Sequence, residues 1–540
     1  MLKYDVEQQR RMAFYRMLIL IAVMIAAGRI ASVLSREGDT AFQSANDRSR
    51  WCTIASLVEH GTYEIDQQIA IRGERNRQPW NTIDKVRHRG ADGQLHYYSS
   101  KPPLYTTLLA GIYAVVERAS GMTMTDQPIY VPRIMLALVN LPMYAVMCWF
   151  TILVIERLGV GEWPRRIAAM SMCFGTMLLP FTITLNNHLP AAMATAIVMY
   201  LYLLTAHELR DEFNGGIHAV SRWAWMGGGL AAGFAAANEL PALSMLALWT
   251  VMLAVLDWKS LIWFALGVAI IACGFFGTNY LAHDSFRPPY AHRGDGEPIT
   301  TLAAANEPAA ADVKAALIET AQIQPEQSVV LQRSGEAGRW VAQTDDDRLF
   351  AVTSLTPTSD STAARAAQWQ IRQWDDWYDY PGSYWTDGQR RGVDLGEPSR
   401  LAYLFQITIG HHGIFSLTPI WFLLPVGVVC SLAYGQRDFR IFVMAVMLAT
   451  VVCIIFYVMR PQIDRNYGGV SCCFRWMLWF IPLWTVICIP ALNECGETPR
   501  ARLMTNALLA AGVFSAATAL HSPWQSPWIY RFWSFLGWLG

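Results

Sequence analysis

The chain has 540 residues, of which 53% are hydrophobic and only 16% are charged. Soluble domains carry about 25% charged residues, so this composition excludes an ordinary soluble protein. The 42 basic and 42 acidic side chains cancel to a net charge of zero, but the basic ones gather in short loops and most acidic ones in two long polar segments. We therefore expect the lipid bilayer as a partner, and no nucleic acid.

Apolar runs of membrane-spanning length, about 17 to 25 residues, recur along the chain and predict an all-α polytopic membrane protein with about eleven transmembrane helices. A shorter apolar segment, 104–117, is interpreted as interfacial. The first run has no small-residue cleavage site behind it, so we expect a retained helix. The eleven runs are 13–34, 132–156, 167–185, 189–206, 223–238, 240–256, 260–281, 413–434, 440–459, 474–493 and 503–520.

Basic residues mark the short loops as cytoplasmic, which places the amino terminus inside and two long segments, 35–102 and 283–400, on the extracytoplasmic side. The pattern predicts a membrane module over 1–282, an extracytoplasmic soluble α/β insertion over 283–400, and carboxy-terminal membrane helices over 401–540. Within the insertion a helix is expected around 302–322 and strands around 327–353. Its aromatic run, from Trp374 to Trp385, is interpreted as lying at the bilayer surface or stacking on sugars.

The first long loop contains a predicted helix that lies along the membrane. From Arg50 to Glu59 the apolar residues recur at helical spacing, and Gly61 is a plausible stop. Asp47 then falls at the amino end of this helix. A carboxylate there has two interpretations, an ordinary helix cap or a catalytic base.

The same loop ends in Tyr97-Tyr98-Ser99-Ser100-Lys101-Pro102-Pro103-Leu104. The two prolines fix the backbone, so the Lys101 ammonium is presented at a defined point where the polar loop meets an apolar segment. This arrangement predicts a site for an anionic group at the membrane surface. The alternative is a lysine that only anchors a helix end.

Further polar residues stand between apolar runs. Arg460 and Arg465, followed by Arg475, can grip a phosphate or simply contact lipid headgroups. His188, beside Asn187, can share in proton transfer or cap a helix. Carboxylates between apolar segments are costly, which makes Glu239 a candidate for function or a mark of a wet turn.

No Walker loop, dinucleotide fingerprint, Cys-x-x-Cys or His-rich spacing occurs in the sequence. We therefore expect no cofactor and no zinc site. A divalent cation is compatible with the sequence but not indicated by it, because a lone Asp47 with Arg48 beside it makes a strong cation site unfavourable.

Taken together, these motifs resemble the polytopic GT-C glycosyltransferases, and most closely the protein O-mannosyltransferases and the aminoarabinose transferases that modify lipid A. Asp47, Arg50 and Trp51 match the Asp, Arg and Tyr of the family's first loop. Lys101 to Leu104 match its Lys-Pro-Pro-Leu step. The resemblance covers roughly the first 280 residues. It departs from the family in Arg48 for the paired Glu, in Asn186-Asn187-His188-Leu189-Pro190 where a second acid is frequent, and in Asn238-Glu239-Leu240-Pro241 where relatives often show Lys-Gly-Pro.

The resemblance implies an inverting transfer of a sugar from a polyprenyl-phosphate donor to a lipid, glycan or protein acceptor on the extracytoplasmic face, with a bacterial inner membrane as the expected location. It implies Asp47 as general base with His188 assisting. The implied donor-phosphate residues are Lys101, Arg460, Arg465 and Arg475. The implied substrate-binding residues are Arg50, Tyr97, Tyr98, Asn187 and Glu239. Two alternatives are a secondary transporter or flippase for a lipid-linked or acidic solute, and a catalytically inactive relative.

Overall fold

The computed structural model describes residues 2–73, 76–158, 161–213, 220–304, 307–334, 338–346, 348–355, 367–386 and 388–539. These residues are mostly helical and carry two small sheets. The α-helices are α1 Leu2–Ile30, α2 Ala45–Glu59, α3 Asp66–Ala70, α4 Pro103–Ser120, α5 Tyr130–Arg157, α6 Glu162–Phe174, α7 His188–Phe213, α8 Arg222–Asn238, α9 Leu243–Leu256, α10 Trp258–His283, α11 Ala310–Glu319, α12 Arg400–Thr408, α13 Ile414–Leu417, α14 Leu424–Tyr434, α15 Arg437–Met459, α16 Ile481–Ile487, α17 Ile489–Cys495, α18 Pro499–Ala519 and α19 Trp528–Phe535. The strands are β1 Lys85–Arg89, β2 Leu95–Ser99, β3 Pro298–Ala304, β4 Val329–Arg333, β5 Arg339–Thr344, β6 Leu349–Ser354 and β7 Ala367–Gln373.

Six helical segments in the described ranges are long and apolar enough to cross a membrane, which supports an integral membrane protein. A seventh is added if Arg475–Ile487 and Ile489–Cys495, which meet at 47°, form one span. The predicted count of about eleven is not confirmed. The apolar runs at 240–256 and 413–434 form only shorter helices. The first begins with a 3₁₀ turn that contains Pro241, and the second is interrupted after α13 by a 3₁₀ turn that begins at Pro419. The six spans are Val6–Ile30, Tyr130–Arg157, Glu162–Ile183, His188–His207, Trp258–His283 and Arg437–Met459.

The spans differ in how deeply they are buried. In Glu162–Ile183, 83% of the apolar window is buried, against 11% in Trp258–His283, so α6 lies at the centre of the helical assembly and α10 at its edge. The main core forms around α6, α7 and the bent pair α16 and α17, with Trp479 and Trp225 among its largest fully buried side chains. Close-packed aromatic and aliphatic side chains hold this core together.

The first long loop packs against α4 and the first turns of α5. Ser44 caps α2, and its hydroxyl oxygen accepts from the Asp47 backbone N–H while the Asp47 carboxylate accepts from the Ser44 N–H, a reciprocal capping box. Gly61, with φ +72°, follows the end of α2. Phe42, Trp51 and Trp80 form a second core beneath the loop. The hairpin of β1 and β2 completes it.

The insertion is built on an antiparallel sheet of five strands in the order β3-β7-β6-β5-β4. Strand alternation turns Ala342, Phe350 and Val352 to one face, where they pack against Val313 and Leu317 of α11. The predicted helix at 302–322 is therefore shorter in the structure, since its first residues belong to β3. The opposite sheet face carries polar residues and is turned toward the β1–β2 hairpin.

The segment 374–386, which we call the aromatic loop, ties the insertion to the first long loop. The Trp385 indole N–H donates to the Ile83 carbonyl at 2.7 Å, and the Trp377 carbonyl accepts from the Arg87 N–H at 2.8 Å. His88 is stacked between Tyr98 and Trp377, with ring centroids 4.1 Å apart on each side. We expected this aromatic run to lie at the bilayer surface or to stack on sugars. Trp377 does not lie at a surface, because it is buried against β1.

Candidate functional site

A cavity of about 450 Å³ opens where the first long loop, the loop after α15 and the insertion meet. Three residues predicted to bind the donor phosphate line it, namely Lys101, Arg460 and Arg475. The other lining residues that matter for its chemistry are Asp84, Arg293, Trp385, Asp394, Asp464, Asn466, Gly468 and Trp524. We call this space the central cavity.

Lys101 reaches the central cavity from a position two residues before α4. Pro102 is the cap of that helix and Pro103 its first residue, so the rigid step predicted from the sequence fixes the lysine at the cavity wall. The Lys101 Nζ lies 3.1 Å from Asp84 Oδ2. Burial lowers the pKa of Lys101, and the Asp84 carboxylate and the neighbouring Arg50 charge act on it more weakly in opposite directions.

Arg475 is held by a chain of buried polar side chains. Its Nη1 donates to His188 Nε2 at 2.8 Å, so that nitrogen accepts and His188 is neutral. The other ring nitrogen, Nδ1, then carries the proton and donates to Glu239 Oε1. Asn187 joins the same carboxylate at 2.7 Å and accepts from Arg50 at 2.9 Å. His188 therefore fixes Arg475, and both of its ring nitrogens are occupied.

The loop after α15 approaches Arg475 closely. Arg475 Nε donates to the Gly468 carbonyl at 2.8 Å. Gly468 has φ +90°, and a Cβ there would lie 2.2 Å from Arg475 Nε, so a side chain at this position would displace the guanidinium. Arg475 also lies over the Trp524 ring, 4.9 Å from its centroid. The guanidinium is thus fixed from several sides at the cavity wall.

The other two arginines of this loop, Arg460 and Arg465, have different partners. Arg460 Nη2 lies 3.0 Å from Asp464 Oδ2, and Arg293 Nη1 lies 3.2 Å from the other oxygen, so one carboxylate holds two cations at the cavity rim. Arg465 instead donates to the Pro398 carbonyl at 2.8 Å and does not line the cavity. Its predicted role in donor binding has no geometric support among the described residues.

Asp47 is buried one layer behind the cavity wall. Its carboxylate accepts from the Gln43 N–H at 2.9 Å, from the Ser44 N–H and hydroxyl at 2.8 and 3.1 Å, and from the Thr184 hydroxyl at 3.0 Å. The Thr184 oxygen in turn accepts from the Trp524 indole N–H at 2.9 Å. Burial raises the pKa of Asp47, and these donors oppose the shift. Asp47 thus caps α2 and supports Trp524, while its four hydrogen bonds leave little capacity to accept a proton from a substrate.

The predicted substrate-binding residues do not line the central cavity. Arg50 and Asn187 border a small pocket beside α4, and Glu239 is buried behind His188. Tyr98 stacks on His88, and Tyr97 meets Tyr380 edge to face at 5.3 Å. Neither Tyr97 nor Tyr98 lines the central cavity, because β2 turns both into the hairpin and its contact with the insertion.

Asp394 was not identified from the sequence. It lines the central cavity and accepts from the Tyr384 hydroxyl at 2.9 Å. Burial raises the pKa of Asp394, with a further contribution from the Asp84 charge. Asp84 and Arg293 were also missed, and Trp385 was noted only as part of the aromatic run. Asp84 immediately precedes β1 and the other two come from the two ends of the insertion, and no local pattern in the sequence shows that these segments meet.

Within the described ranges, no group of three or more His, Cys, Asp or Glu side chains has the arrangement of a metal site. The carboxylates that line the cavity are engaged by Lys101, by Tyr384 and by Arg460 with Arg293. Whether a divalent cation takes part stays a prediction from the sequence.

No protein-family model matches the chain, and no curated protein matches it. Among solved structures it is similar to the oligosaccharyltransferase AglB of Archaeoglobus fulgidus in complex with an inhibitory peptide and a dolichol-phosphate, with a TM-score of 0.47 and 12% identity over 98% of this chain. The chain spans 58% of the length of that protein.

It is also similar to the S. cerevisiae protein O-mannosyltransferase Pmt1-Pmt2 complex bound to the sugar donor, with a TM-score of 0.41 and 9% identity, covering 97% of this chain and 92% of that one. Protein O-mannosyltransferases are one of the two groups that the sequence motifs resemble. At these TM-scores the likeness carries nothing about substrates or individual residues.

Proposed function

We propose that the chain is an integral-membrane glycosyltransferase that takes a sugar from a polyprenyl-phosphate donor and transfers it to a lipid, glycan or protein acceptor. The reaction takes place on the extracytoplasmic side, where the first long loop and the insertion are predicted to lie. The observation that carries the proposal is the central cavity, in which Lys101 and Arg475 share one space with the carboxylate of Asp394.

The cations suit a leaving phosphate. A guanidinium held by His188, Gly468 and Trp524 needs no reorganisation to receive an anion, and the Lys101 ammonium adds a second positive charge. Fixed donors aimed at developing negative charge, in a site partly closed to water, are a large source of transition-state stabilisation. Arg460 and Arg293 at the rim suit the approach of an anionic donor.

We assign the general base to Asp394. Four hydrogen bonds occupy the Asp47 carboxylate, and Lys101 neutralises Asp84. Asp394 lines the cavity with one neutral donor, Tyr384, on its carboxylate, and burial raises its pKa, which makes it a stronger base than an exposed carboxylate. Removal of the acceptor proton by Asp394 as the phosphate leaves toward Lys101 and Arg475 gives a direct displacement, which inverts the anomeric carbon.

The test is release of free polyprenyl phosphate by the purified protein from a panel of polyprenyl-phosphate sugars in the presence of membrane acceptors. Asp394→Asn is expected to lower turnover by about 10²- to 10⁴-fold with donor binding retained, as for loss of a general base. Lys101→Ala is expected to weaken donor binding itself. Asp346→Asn, a carboxylate that does not line the cavity, is the matched control.

Asp47→Asn and Asp84→Asn complete the comparison. If a folded Asp47→Asn protein loses turnover while the Asp394→Asn protein stays active, the general base is Asp47 and its assignment to Asp394 is wrong. If the wild-type protein binds donor but releases no phosphate and instead moves the lipid-linked sugar across a vesicle membrane, the transporter interpretation holds and the proposed function is wrong.

A further inference from the structure

A further cavity, of about 510 Å³, lies at the opposite end of the helical assembly from the central cavity. The 23 residues of α15 rise about 35 Å along the helix axis. Asp438, in the first turn of α15, lines the further cavity, whereas Arg460, just after its last residue, lines the central one. Parts of α5, α7, α14 and α17 complete the wall. We call this space the distal cavity.

The distal cavity lies at the depth of lipid headgroups. Two candidate membrane spans end at residues of its lining, Arg157 and His207. A third span begins at Arg437, between the lining residues Gln436 and Asp438. The ends of membrane spans meet the headgroup region of the bilayer. A phospholipid of this leaflet, which the basic loops predict to be the cytoplasmic one, therefore has its headgroup level with the cavity.

The lining changes from apolar to polar along the helices. Leu203 lies one turn before His207 on α7, and Pro490 lies one turn before Glu494 on α17. All four residues line the cavity, and none of them is buried. The apolar member of each pair is the one further from the helix end, and thus deeper in the membrane. This order matches an amphiphile whose acyl chains point into the bilayer and whose headgroup lies at the surface.

Two charges of opposite sign face the distal cavity without a partner. Arg157 and Glu494 are exposed, and neither side chain forms a salt bridge or a hydrogen bond with any residue that the structure describes. The Arg157 guanidinium lies over the Tyr200 ring, 5.5 Å from its centroid, which holds it against the cavity wall. His207 and Asp438, the other charged or titrating side chains at the rim, have contacts of their own.

A zwitterion satisfies both of these charges. A guanidinium binds the oxygens of a phosphate in a bidentate way, and a primary ammonium has three N–H donors for a carboxylate. A headgroup with a phosphate alone would leave Glu494 next to a second negative charge. A quaternary ammonium would keep the charge but offer no hydrogen bond. The pair of Arg157 and Glu494 therefore favours a phosphate joined to a primary amine.

We propose that the distal cavity binds a phospholipid with a phosphoethanolamine headgroup, its phosphate on Arg157 and its ammonium on Glu494. The acyl chains leave the cavity on the side of Leu203. Such a lipid joins α5 to α17, so its binding is expected to raise the thermal unfolding midpoint of the protein. The site is separate from the central cavity, and the proposal does not depend on the proposed transferase.

The test uses delipidated full-length protein in detergent, titrated with three dioleoyl phospholipids that carry ethanolamine, glycerol or choline headgroups. Bound lipid is counted by native mass spectrometry. Wild type is expected to bind the ethanolamine lipid most tightly. Glu494→Gln is expected to weaken it roughly tenfold, the effect of one charged hydrogen bond, and to leave the glycerol lipid no weaker. The matched control is Glu497→Gln, because Glu497 is an exposed acid three residues further on that does not line the cavity.

Arg157→Gln is expected to weaken all three lipids, since each has a phosphate. Arg500→Gln, which removes an exposed arginine outside the cavity, is expected to weaken none of them. Charge reversal keeps the test decisive if Arg157→Gln folds poorly. Glu494→Lys is expected to bind the glycerol lipid more tightly than the ethanolamine lipid, and Glu497→Lys to keep the wild-type order.

Three results would overturn the proposal. The first is wild-type protein that binds the ethanolamine lipid no more tightly than the other two. The second is a change of lipid preference in Glu497→Lys as large as that in Glu494→Lys. The third is soluble glycerophosphoethanolamine that binds as tightly as the lipid, because the ligand would then be a soluble zwitterion. Lys101→Ala, which alters only the central cavity, should bind the ethanolamine lipid as wild type does.

Discussion

At the scale of the residue, Lys101 is the side chain in which sequence and site agree most directly. The half-buried side chain holds its ammonium against Asp84, and it faces the cavity that also holds Arg475. Burial disfavours the charged form, and the pKa of Lys101 is lowered although Asp84 opposes the shift. In the proposed function, an anionic donor that enters the cavity replaces Asp84 as the partner of the ammonium.

This environment predicts a pH limit on donor binding. Only protonated Lys101 attracts a phosphate, so binding is complete at low pH and is lost as pH rises through the pKa of Lys101. That pKa lies below its ordinary value of 10.5, so the loss begins at a lower pH than for an exposed lysine. Lys101→Arg is expected to move this alkaline limb upward, because a guanidinium stays protonated. Donor affinity measured across pH for the wild type and for Lys101→Arg tests this prediction. If the affinity of both proteins falls over the same alkaline pH range, the role of Lys101 is contradicted.

Other residues show where sequence reasoning ends. The motif around Lys101 is local, since Pro102 and Pro103 fix its geometry wherever the loop goes. Arg465 and Arg475 looked equivalent in the sequence, yet one bonds to Pro398 and the other lines the cavity. The direction of a side chain depends on contacts with distant segments, which a single sequence does not show. Asp47 was correctly placed at the start of a helix. Only the structure shows that capping bonds and Thr184 occupy its carboxylate with four hydrogen bonds.

At the scale of the element, α8 and α10 pack closely because glycines at their contact have no side chain. A Cβ at Gly229 would lie 1.9 Å from the Phe264 carbonyl oxygen, and a Cβ at Gly267 would lie 2.2 Å from the Met226 oxygen. The two backbones therefore touch directly, as in other membrane helix pairs built on small residues. Because Glu239 follows the end of α8, this packing also supports the carboxylate that holds His188.

Gly229→Ala is expected to destabilise the protein by about 1–3 kcal/mol, the usual cost of overpacking, because the new methyl group forces the helices apart. Gly227, two residues earlier on the same helix, has no atom within 4 Å of an added Cβ. Gly227→Ala is expected to be neutral or to stabilise by up to about 1 kcal/mol through helix propensity. Thermal unfolding midpoints in detergent measure both. Equal midpoints for the two variants would show that the contact is looser than described.

The elements themselves were predicted unevenly. The helical spacing of the apolar residues and the capping residue correctly predicted α2, because both signals lie within the segment itself. Hydropathy located apolar runs but not their breaks, and the run at 474–493 bends by 47° where α16 gives way to α17. Such a break reflects packing against neighbouring helices as much as local composition. The five-stranded sheet was only partly anticipated, since β3 and β7 pair across residues 298–373 and long-range pairing leaves no local signature.

At the scale of the whole molecule, the insertion shapes two cavities although it is a separate sheet with its own core. The aromatic loop contributes Trp385 to the central cavity and Tyr380 to a second cavity, which lies between the β1–β2 hairpin and the polar face of the insertion sheet. Arg339 on β5 joins the sheet to this loop through Asp379 and, at 3.7 Å, Asp376. The same guanidinium lies 2.6 Å from Asp295, just before β3. One buried cation therefore connects the sheet with both chain segments that enter and leave it.

Arg339→Gln is expected to loosen the aromatic loop and thereby both cavities. Removing one partner of a buried ion pair costs about 3–5 kcal/mol, because the remaining carboxylates stay buried without a counter-charge. Hydrogen exchange should rise in residues 374–386, and donor turnover should fall although Arg339 lines neither cavity. Arg348→Gln, which breaks an exposed pair with Asp346, should change neither.

Exchange in β4 to β7 separates loosening of the loop from unfolding of the whole insertion. If those strands exchange as fast as the loop, Asp379→Asn provides the milder change, since it removes one acid and keeps Arg339 paired with Asp295. Protected strands, a mobile loop and reduced turnover together would show that the insertion acts on the central cavity through the aromatic loop. Unchanged exchange in 374–386 in both variants would mean that Trp385 and the β1 contacts hold the loop on their own, and the proposed coupling through Arg339 would be wrong.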